Sequence, residues 1–140
     1  TAAMVHYYFK NRDQLIEAVV DERVSLFIRG IWGPISGDQP PQQMIMGMVD
    51  RMISTTEKMP WMPALWVREV LSEGGQLRER MVRRVPLEKL ALFADCIARS
   101  QQAGRINPQL EPNLIFVSII GLTMLPLAMA RANKPALPLA

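Results

Sequence analysis

The feature that most constrains the fold is a nearly unbroken apolar run at residues 114–130. Only Ser118, Gly121, Thr123 and Pro126 interrupt it, so a helix over this run has no polar face. Such a helix must be covered on every side. A membrane-spanning helix needs about 20 apolar residues, and this run falls a little short. We therefore expect it to be buried in a protein core on one side and in a subunit interface on the other.

Most other apolar residues recur three and four positions apart, which is the spacing of amphipathic helices. Strand-period alternation is not found in the chain, so the sequence predicts an all-α fold, a helical bundle. Gly30, Gly33 and Gly104 are expected at helix C-termini, and Pro41 and Asn107 at N-termini. The predicted helices cover residues 12–31, 42–58, 62–72, 76–85, 87–103 and 108–132.

The composition is that of a globular protein with one main domain. The 140 residues are 49% hydrophobic and 21% charged, with a formal net charge of +3. A charge this mild does not by itself make a nucleic-acid-binding surface. The single cysteine, Cys96, excludes an internal disulfide and is typical of a reducing, cytoplasmic compartment. Metal-ligand spacings, phosphate-binding glycine loops and nucleophile motifs are not found, so we expect no enzyme activity and no cofactor.

Residues 5–15, VHYYFKNRDQL, combine an aromatic cluster with a basic turn and the start of a helix. Asn11 is placed to cap that helix through its side-chain oxygen, and Gln14 to reach back to the Asn11 N–H. Aromatic side chains with polar tips, next to Lys10 and Arg12, are typical of a surface that packs on one side and faces an anion on the other.

The opening segment, TAAMVHYYFKNRDQLIEAV, resembles the end of the DNA-binding domain in the TetR/AcrR family of transcriptional regulators. In that family a recognition helix runs into an aromatic patch, a short basic turn and the first long helix of the regulatory domain. The residues that fit this pattern are Val5, Tyr7, Tyr8, Phe9, Lys10, Arg12 and Leu15, and His6 stands where the family most often has Tyr. The resemblance implies that residues 1–10 are a remnant of a helix-turn-helix domain whose first two helices are missing, and that residues 11–140 form a ligand-binding and dimerisation domain.

The resemblance also implies which N-terminal side chains contact operator DNA. The first four residues match positions that face base edges, and the basic turn matches positions that face phosphates. For Tyr8 and Phe9 we instead expect packing between the two domains, and for Lys10 and Arg12 both roles stay open. The expected DNA-binding residues are Thr1, Ala2, Ala3, Met4, His6, Tyr7, Lys10 and Arg12. Without the two preceding helices, we do not expect base reading by this chain alone.

Three further segments resemble the ligand-binding domain of the same family: PWMPALWVREVLSEGGQLRERM at 60–81, AGRIN at 103–107 and GLTMLPL at 121–127. Their order suggests helices four to eight of the usual nine, which would place the ninth beyond Ala140. The family binds effectors in this region, and ligand sites between helices are mostly apolar. The expected effector-binding residues are Met44, Met48, Met52, Trp61, Met62, Leu65, Trp66, Glu69, Met81, Phe93, Phe116 and Ile120. Plain core packing by the same stripe of residues is the alternative.

Two groups of charged residues near this region have two interpretations each. Glu69 shares a helix face with Trp66, so it could select a lipophilic cation; otherwise it forms a surface ion pair with Arg68 or Arg80. The arginines of residues 78–84 are expected to form a solvated face, or alternatively to line the side towards DNA.

Small and apolar residues on the last two helices predict a homodimer interface, because small side chains let helices approach closely. The expected interface residues are Leu87, Leu90, Ala94, Ile97, Ala98, Ile119, Leu122 and Leu125. We expect no membrane partner.

The leading hypothesis is a cytoplasmic, homodimeric transcriptional regulator of the repressor type. Its helical domain would bind a small apolar or amphipathic effector, which would move the helix at 12–31 and so control DNA binding by the helix-turn-helix. Two alternatives stay open: a constitutive dimerisation module without a ligand, and a small enzyme or helical carrier of lipids or other hydrophobic molecules.

Overall fold

The computed structural model describes residues 2–4 and 10–132, and this part of the chain is all-α, as predicted. Six helices follow one another in residues 12–132, residues 2–4 are also helical, and the described part contains no β-strand. The helices are α1 (residues 12–32, composed of Arg12–Val19, a π-helical turn Val20–Val24 and Ser25–Trp32), α2 (Pro41–Lys58), α3 (residues 62–71, composed of Met62–Trp66 and a π-helical turn Val67–Leu71), α4 (Arg78–Arg83), α5 (Leu87–Gln102) and α6 (Pro112–Ala132).

The N-terminus of α1 is capped by Asn11, as predicted. Asn11 has an extended backbone (φ −153°, ψ 172°), and its Oδ1 accepts a hydrogen bond from the Gln14 N–H at 2.9 Å. The predicted return bond is wrong in its donor. Gln14 Oε1 accepts from the backbone N–H of Lys10 at 3.0 Å, because the Gln14 side chain reaches one residue beyond the cap. The side chains of Asn11 and Gln14 therefore satisfy one backbone N–H in the first turn of α1 and one just before it.

The C-terminus of α1 is held by two cationic side chains from other helices. Arg51 Nε of α2 donates to the carbonyl oxygen of Ile31 at 2.9 Å, and Lys89 Nζ of α5 donates to the carbonyls of Gly33 and Ile35 at 3.1 and 2.7 Å. Cations at this end also interact favourably with the helix dipole. The prediction that Gly30 ends α1 is wrong: the helix passes through it to Trp32, and Gly33 is the C-cap.

The core contains one inward face from each helix. On α2, Met44, Met48 and Met52 recur every four residues, and none is more than 2% exposed. Six buried residues come from the second half of α1 and its π-helical turn, so this helix contributes more to the core than any other. The buried apolar residues are Val20, Val24, Phe27, Ile28, Ile31, Trp32, Ile35, Met44, Met48, Met52, Met62, Leu77, Met81, Phe93, Cys96, Ile97, Ile119 and Met124.

Of the predicted boundaries at the end of α5 and the start of α6, the first is confirmed and the second is wrong. Gly104 follows α5 with φ +73°, and the next N–H, from Arg105, bonds to the Ser100 carbonyl at 2.8 Å, so the predicted glycine stop is confirmed. The predicted start of α6 at residue 108 is wrong. Asn107 Oδ1 accepts the Gln109 N–H at 2.9 Å, which closes a local turn, and α6 begins four residues later, at Pro112.

The last helix is covered by the described chain on one face only, which agrees with the expected core side; the expected subunit interface on the other side stays a prediction. Only Ile119, Thr123 and Met124 of α6 are buried. Its opposite face is apolar and exposed, with Leu122 78% accessible. The whole helix at residues 112–131, including its polar ends, is long and apolar enough to cross a membrane, by length and composition only. The exposed apolar residues on this helix are Leu114, Val117, Leu122, Leu125 and Met129.

Candidate functional site

An apolar cavity of about 180 Å³ lies between five helices in the described part of the chain. Its walls come from α1, α2, α3, α4 and α6, and Val82, which is 58% exposed, lies at its mouth. All the lining side chains are apolar or aromatic, and none carries a charge. The lining residues are Phe27, Ile28, Ile31, Trp32, Met52, Met62, Trp66, Val70, Met81, Val82, Val85, Phe116, Ile120 and Met124.

A cluster of three aromatic rings forms one end of the cavity. The ring centroids of Trp32 and Phe116 lie 4.7 Å apart with the planes tilted by 54°. Phe93 of α5 lies behind both rings, 6.4 Å from Trp32 and 6.2 Å from Phe116, in edge-to-face geometry. Such pairs are favourable beyond the area that they bury. The cluster therefore joins α1, α5 and α6 and fixes the position of two cavity-lining rings.

Two lining methionines are positioned by threonines on neighbouring helices. The Thr123 hydroxyl lies 2.7 Å from the Ile119 carbonyl oxygen and 3.1 Å from Met52 Sδ. Since a hydroxyl has one proton and sulfur is a weak acceptor, Thr123 donates to the carbonyl, and the thioether rests against the oxygen. Thr56 Oγ1 lies 4.0 Å from Met124 Sδ. These contacts connect α2 with α6 beside the cavity.

The structure brings half of the predicted effector-binding residues to the cavity. The six that line it are Met52, Met62, Trp66, Met81, Phe116 and Ile120. The other six do not: Met44, Met48 and Phe93 are filled core, Trp61 is 39% exposed, and Leu65 and Glu69 are outside the lining set. Sequence reasoning missed the wall contributed by α1, although Phe27 and Ile31 belong to the apolar stripe by which α1 was predicted.

Glu69 is engaged away from the cavity. Its carboxylate pairs with Arg68 at 3.2 Å and accepts the Gln76 N–H at 2.9 Å. Burial raises the pKa of this carboxyl, but the hydrogen bonds from Gln76, Arg68 and Leu77 outweigh that effect and hold it below its ordinary value. The structure thus shows the surface pair with Arg68, and it leaves Glu69 outside the residues that line the cavity.

The expected solvated arginine face is also wrong for two residues. Arg80 of α4 and Arg84, which follows α4 directly, reach across to α1, where Glu17 accepts from Arg80 Nε at 2.6 Å and from Arg84 Nη2 at 2.8 Å. The ionic cluster also includes Asp13, 3.3 Å from Arg80, and Asp21, which pairs with Arg84. Hydrogen bonds from Arg84 and then Arg80 lower the pKa of the Glu17 carboxyl. The cluster fixes α4 against the first half of α1.

The remaining arginines of this segment have local partners. Arg78 Nε donates to the Val70 carbonyl at 2.7 Å, and Arg83 Nε lies 3.3 Å from the Glu79 carbonyl. Both side chains are exposed, so the solvated interpretation holds for them.

The predicted DNA-binding residues that the structure describes all lie at the surface. Ala2, Ala3 and Met4 are helical and exposed, and Lys10 and Arg12 are exposed next to the cap of α1. Thr1, His6 and Tyr7 lie outside the described residues, as do Tyr8 and Phe9.

The predicted dimer residues divide into three groups by their exposure. Leu87, Leu122 and Leu125 are exposed, whereas Ile97 and Ile119 are buried in the core of the same chain and are unavailable to a partner. Three small or medium side chains between them, Leu90, Ala94 and Ala98, are half-buried.

Two depressions of about 650 and 480 Å³ lie on the surface beside Pro40 and Arg105. About half of their lining residues are exposed, so both depressions are open at the surface. Among the described residues, no three His, Cys, Asp or Glu side chains are grouped so that they could hold a metal ion, and Cys96 is buried, with its thiol 3.4 Å from the Gln39 carbonyl.

Comparison with known proteins adds no assignment, because neither a protein-family model nor a curated protein matches this chain.

Proposed function

We propose that this chain is the regulatory domain of a TetR-like transcriptional regulator that binds a small apolar molecule in the cavity between its helices. One observation carries the proposal: α1 contributes a wall of the cavity with its second half, while its first half follows directly on the basic, aromatic segment that resembles the end of a DNA-binding domain. A ligand in the cavity would therefore contact α1, the helix whose N-terminal end leads to that segment. The exposure of Ala2, Ala3, Met4, Lys10 and Arg12 supports this arrangement.

The ionic cluster supports coupling between the two ends of α1. On α4, Met81 and Val82 line the cavity, and Arg80 and Arg84 hold Glu17 on the first half of α1. A ligand that is bound more tightly when α4 is displaced would thus move, or release, the first half of α1. Only a difference in affinity between the two arrangements can shift their populations. The regulator would act as a repressor if that difference favours the arrangement that does not bind DNA.

The test uses the product of the complete reading frame and a DNA duplex selected by that product from a random pool. Thermal unfolding and DNA release, followed by fluorescence anisotropy, are measured across a panel of neutral, cationic and anionic apolar compounds. At least one compound is expected both to raise the melting temperature and to release DNA. If compounds stabilise the protein but never affect DNA binding, the regulatory part of the proposal fails. If none stabilises it, the effector part fails.

We also propose a cytoplasmic homodimer that uses the exposed apolar face of α6. Leu114, Leu122 and Leu125 would contact a second copy, and Leu87 of α5 would extend the surface. A contiguous exposed apolar face of this kind is uncommon on a monomeric soluble protein. Leu122→Glu is expected to convert dimer to monomer in light scattering, while Met46→Glu, at a 57% exposed position on α2, leaves the dimer intact. A monomeric parent protein, or one that sediments with lipid vesicles through this face, would contradict the homodimer.

A constitutive dimerisation module without a ligand is the second candidate. The filled positions of Met44, Met48 and Phe93 favour it, because these three of the twelve residues predicted to bind the effector are packed core. The two candidates differ at the cavity: in the module, filling it with larger side chains would leave both dimerisation and DNA binding unchanged.

A further inference from the structure

The cavity offers nothing that could neutralise a charge. Its lining has no charged side chain, and the nearest candidates are committed elsewhere: Glu69 to Arg68 and the Gln76 N–H, Arg80 and Arg84 to the acids of α1. A buried ion would lose its hydration at a large cost, and a cation would gain only contacts with ring faces, which are worth less than the hydration lost. We propose that the ligand of this cavity is a neutral, flat aromatic molecule of one or two rings. This inference rests on the proposed function, which makes the cavity a ligand site.

The aromatic character follows from the groups that line the walls. Two indole rings, two phenyl rings and four thioethers are among the lining side chains. Aromatic rings contact another ring favourably by face or by edge, and methionine sulfur makes favourable contacts at a ring edge. A flat ring can use both kinds of contact at once, whereas a branched aliphatic molecule uses neither. The contributing residues are Trp32, Trp66, Phe27, Phe116, Met52, Met62, Met81 and Met124.

The volume sets the size of the ligand. An engineered apolar cavity of about 150 Å³ stays dry and takes one benzene molecule. The cavity of about 180 Å³ in this chain is somewhat larger, which suits a substituted single ring or two fused rings. Val82 at the mouth is exposed, so a ligand can enter without crossing the core.

The experiment compares two molecules of nearly the same shape, 1-methylnaphthalene and N-methylquinolinium, which differ in a permanent positive charge on the ring. Binding to the full chain is measured by thermal shift and by isothermal titration calorimetry. We expect the neutral compound to raise the melting temperature, and the cation to bind on the order of 100-fold more weakly. Equal or tighter binding of the cation would overturn the inference while leaving the proposed function intact. If neither these compounds nor any of the wider panel binds, the effector part of the proposed function fails too.

Two variants locate the binding. Ile120→Phe adds volume inside the cavity, and Met46→Phe, at a 57% exposed position on α2, adds a ring outside it. The first is expected to abolish binding of 1-methylnaphthalene and the second to leave it unchanged. Val70→Phe fills the cavity from α3 and replaces Ile120→Phe if that variant does not fold. Binding that survives both filling variants, or that Met46→Phe also removes, would place the ligand elsewhere and refute the assignment.

Discussion

Removing the Phe93 ring should destabilise the fold more than most single substitutions. Phe93 is fully buried on α5 and makes edge-to-face contacts with both Trp32 and Phe116. Truncating a buried Phe to Ala costs about 3–5 kcal/mol, because transfer free energy is lost and a void is left. Each aromatic pair contributes about 0.5–1.5 kcal/mol beyond the buried area. With two such pairs lost, we expect Phe93→Ala to lie in the upper half of that range.

The new void would open towards the existing cavity, since Trp32 and Phe116 line the cavity and contact Phe93. Helix α5 cannot easily close it, because Lys89 holds this helix to the carbonyls of Gly33 and Ile35. Little relaxation is therefore expected, and the cavity term should remain large. At about 4 °C per kcal/mol for a chain of this size, the melting temperature should fall by roughly 16–20 °C.

Urea unfolding followed by circular dichroism, at fixed protein concentration, measures this free energy directly. Phe93→Leu keeps part of the volume and should cost clearly less than Phe93→Ala. Met46→Ala, at a 57% exposed position on α2, should change stability by no more than about 0.5 kcal/mol. A loss below about 1.5 kcal/mol for Phe93→Ala would show that the three rings do not hold α1, α5 and α6 together as argued.

Three further predictions concern the ends and the charges of the helices. The pKa of the Glu17 carboxyl is lowered by Arg84 and Arg80, so its charged form stabilises the fold above the unfolded pKa, and this contribution is lost as the pH falls through the folded pKa. Glu17→Gln should therefore reduce the loss of stability on the acid side, measured by thermal unfolding between roughly pH 3 and 7. The same pH dependence in the variant as in the parent protein would contradict this. Gly104→Ala should cost about 1 kcal/mol, because φ is +73° there while an added Cβ meets nothing; Gly121→Ala, inside α6 and equally open, is the matched control and should be neutral or slightly stabilising. Asn11→Ala should cost about 1 kcal/mol and speed amide exchange at Gln14, whose N–H is bonded to Asn11 Oδ1; unchanged exchange would mean that another group caps α1.

The sequence predicted the helices well because each has a periodic apolar face, and periodicity is a property of the chain alone. Helix boundaries were predicted less well where a side chain had two possible hydrogen-bonding roles. Asn107 can cap a helix or close a turn, and the structure uses it for the turn. The π-helical turns at Val20–Val24 and Val67–Leu71 carry no evident signal. Each is closed by a serine, Ser25 or Ser72, whose hydroxyl lies 3.1 Å from the carbonyl five residues earlier.

Only half of the residues predicted to bind the effector line the cavity, for a physical reason. Inward-facing residues can be identified by spacing, but whether an inward-facing residue meets a neighbour or a void depends on how several helices pack. Met48 and Met52 lie on the same stripe of α2, yet only Met52 reaches the cavity. The ionic cluster, in contrast, had a usable signal: Glu17 and Asp21 are four residues apart, as are Arg80 and Arg84, so each pair lies on one helix face.

That matched spacing explains how a helix as short as α4 can shape the cavity. Six residues cannot form a stable helix alone, and α4 has no side-chain cap. Its position is set from two sides, by Met81 in the core and by Arg80 and Arg84 on the acids of α1. Because Val82 of the same helix lies at the mouth, the opening through which a ligand would pass depends on charges that the ligand never touches. Substitutions at Glu17 should therefore alter the access of a neutral compound to the cavity as well as the stability of the fold.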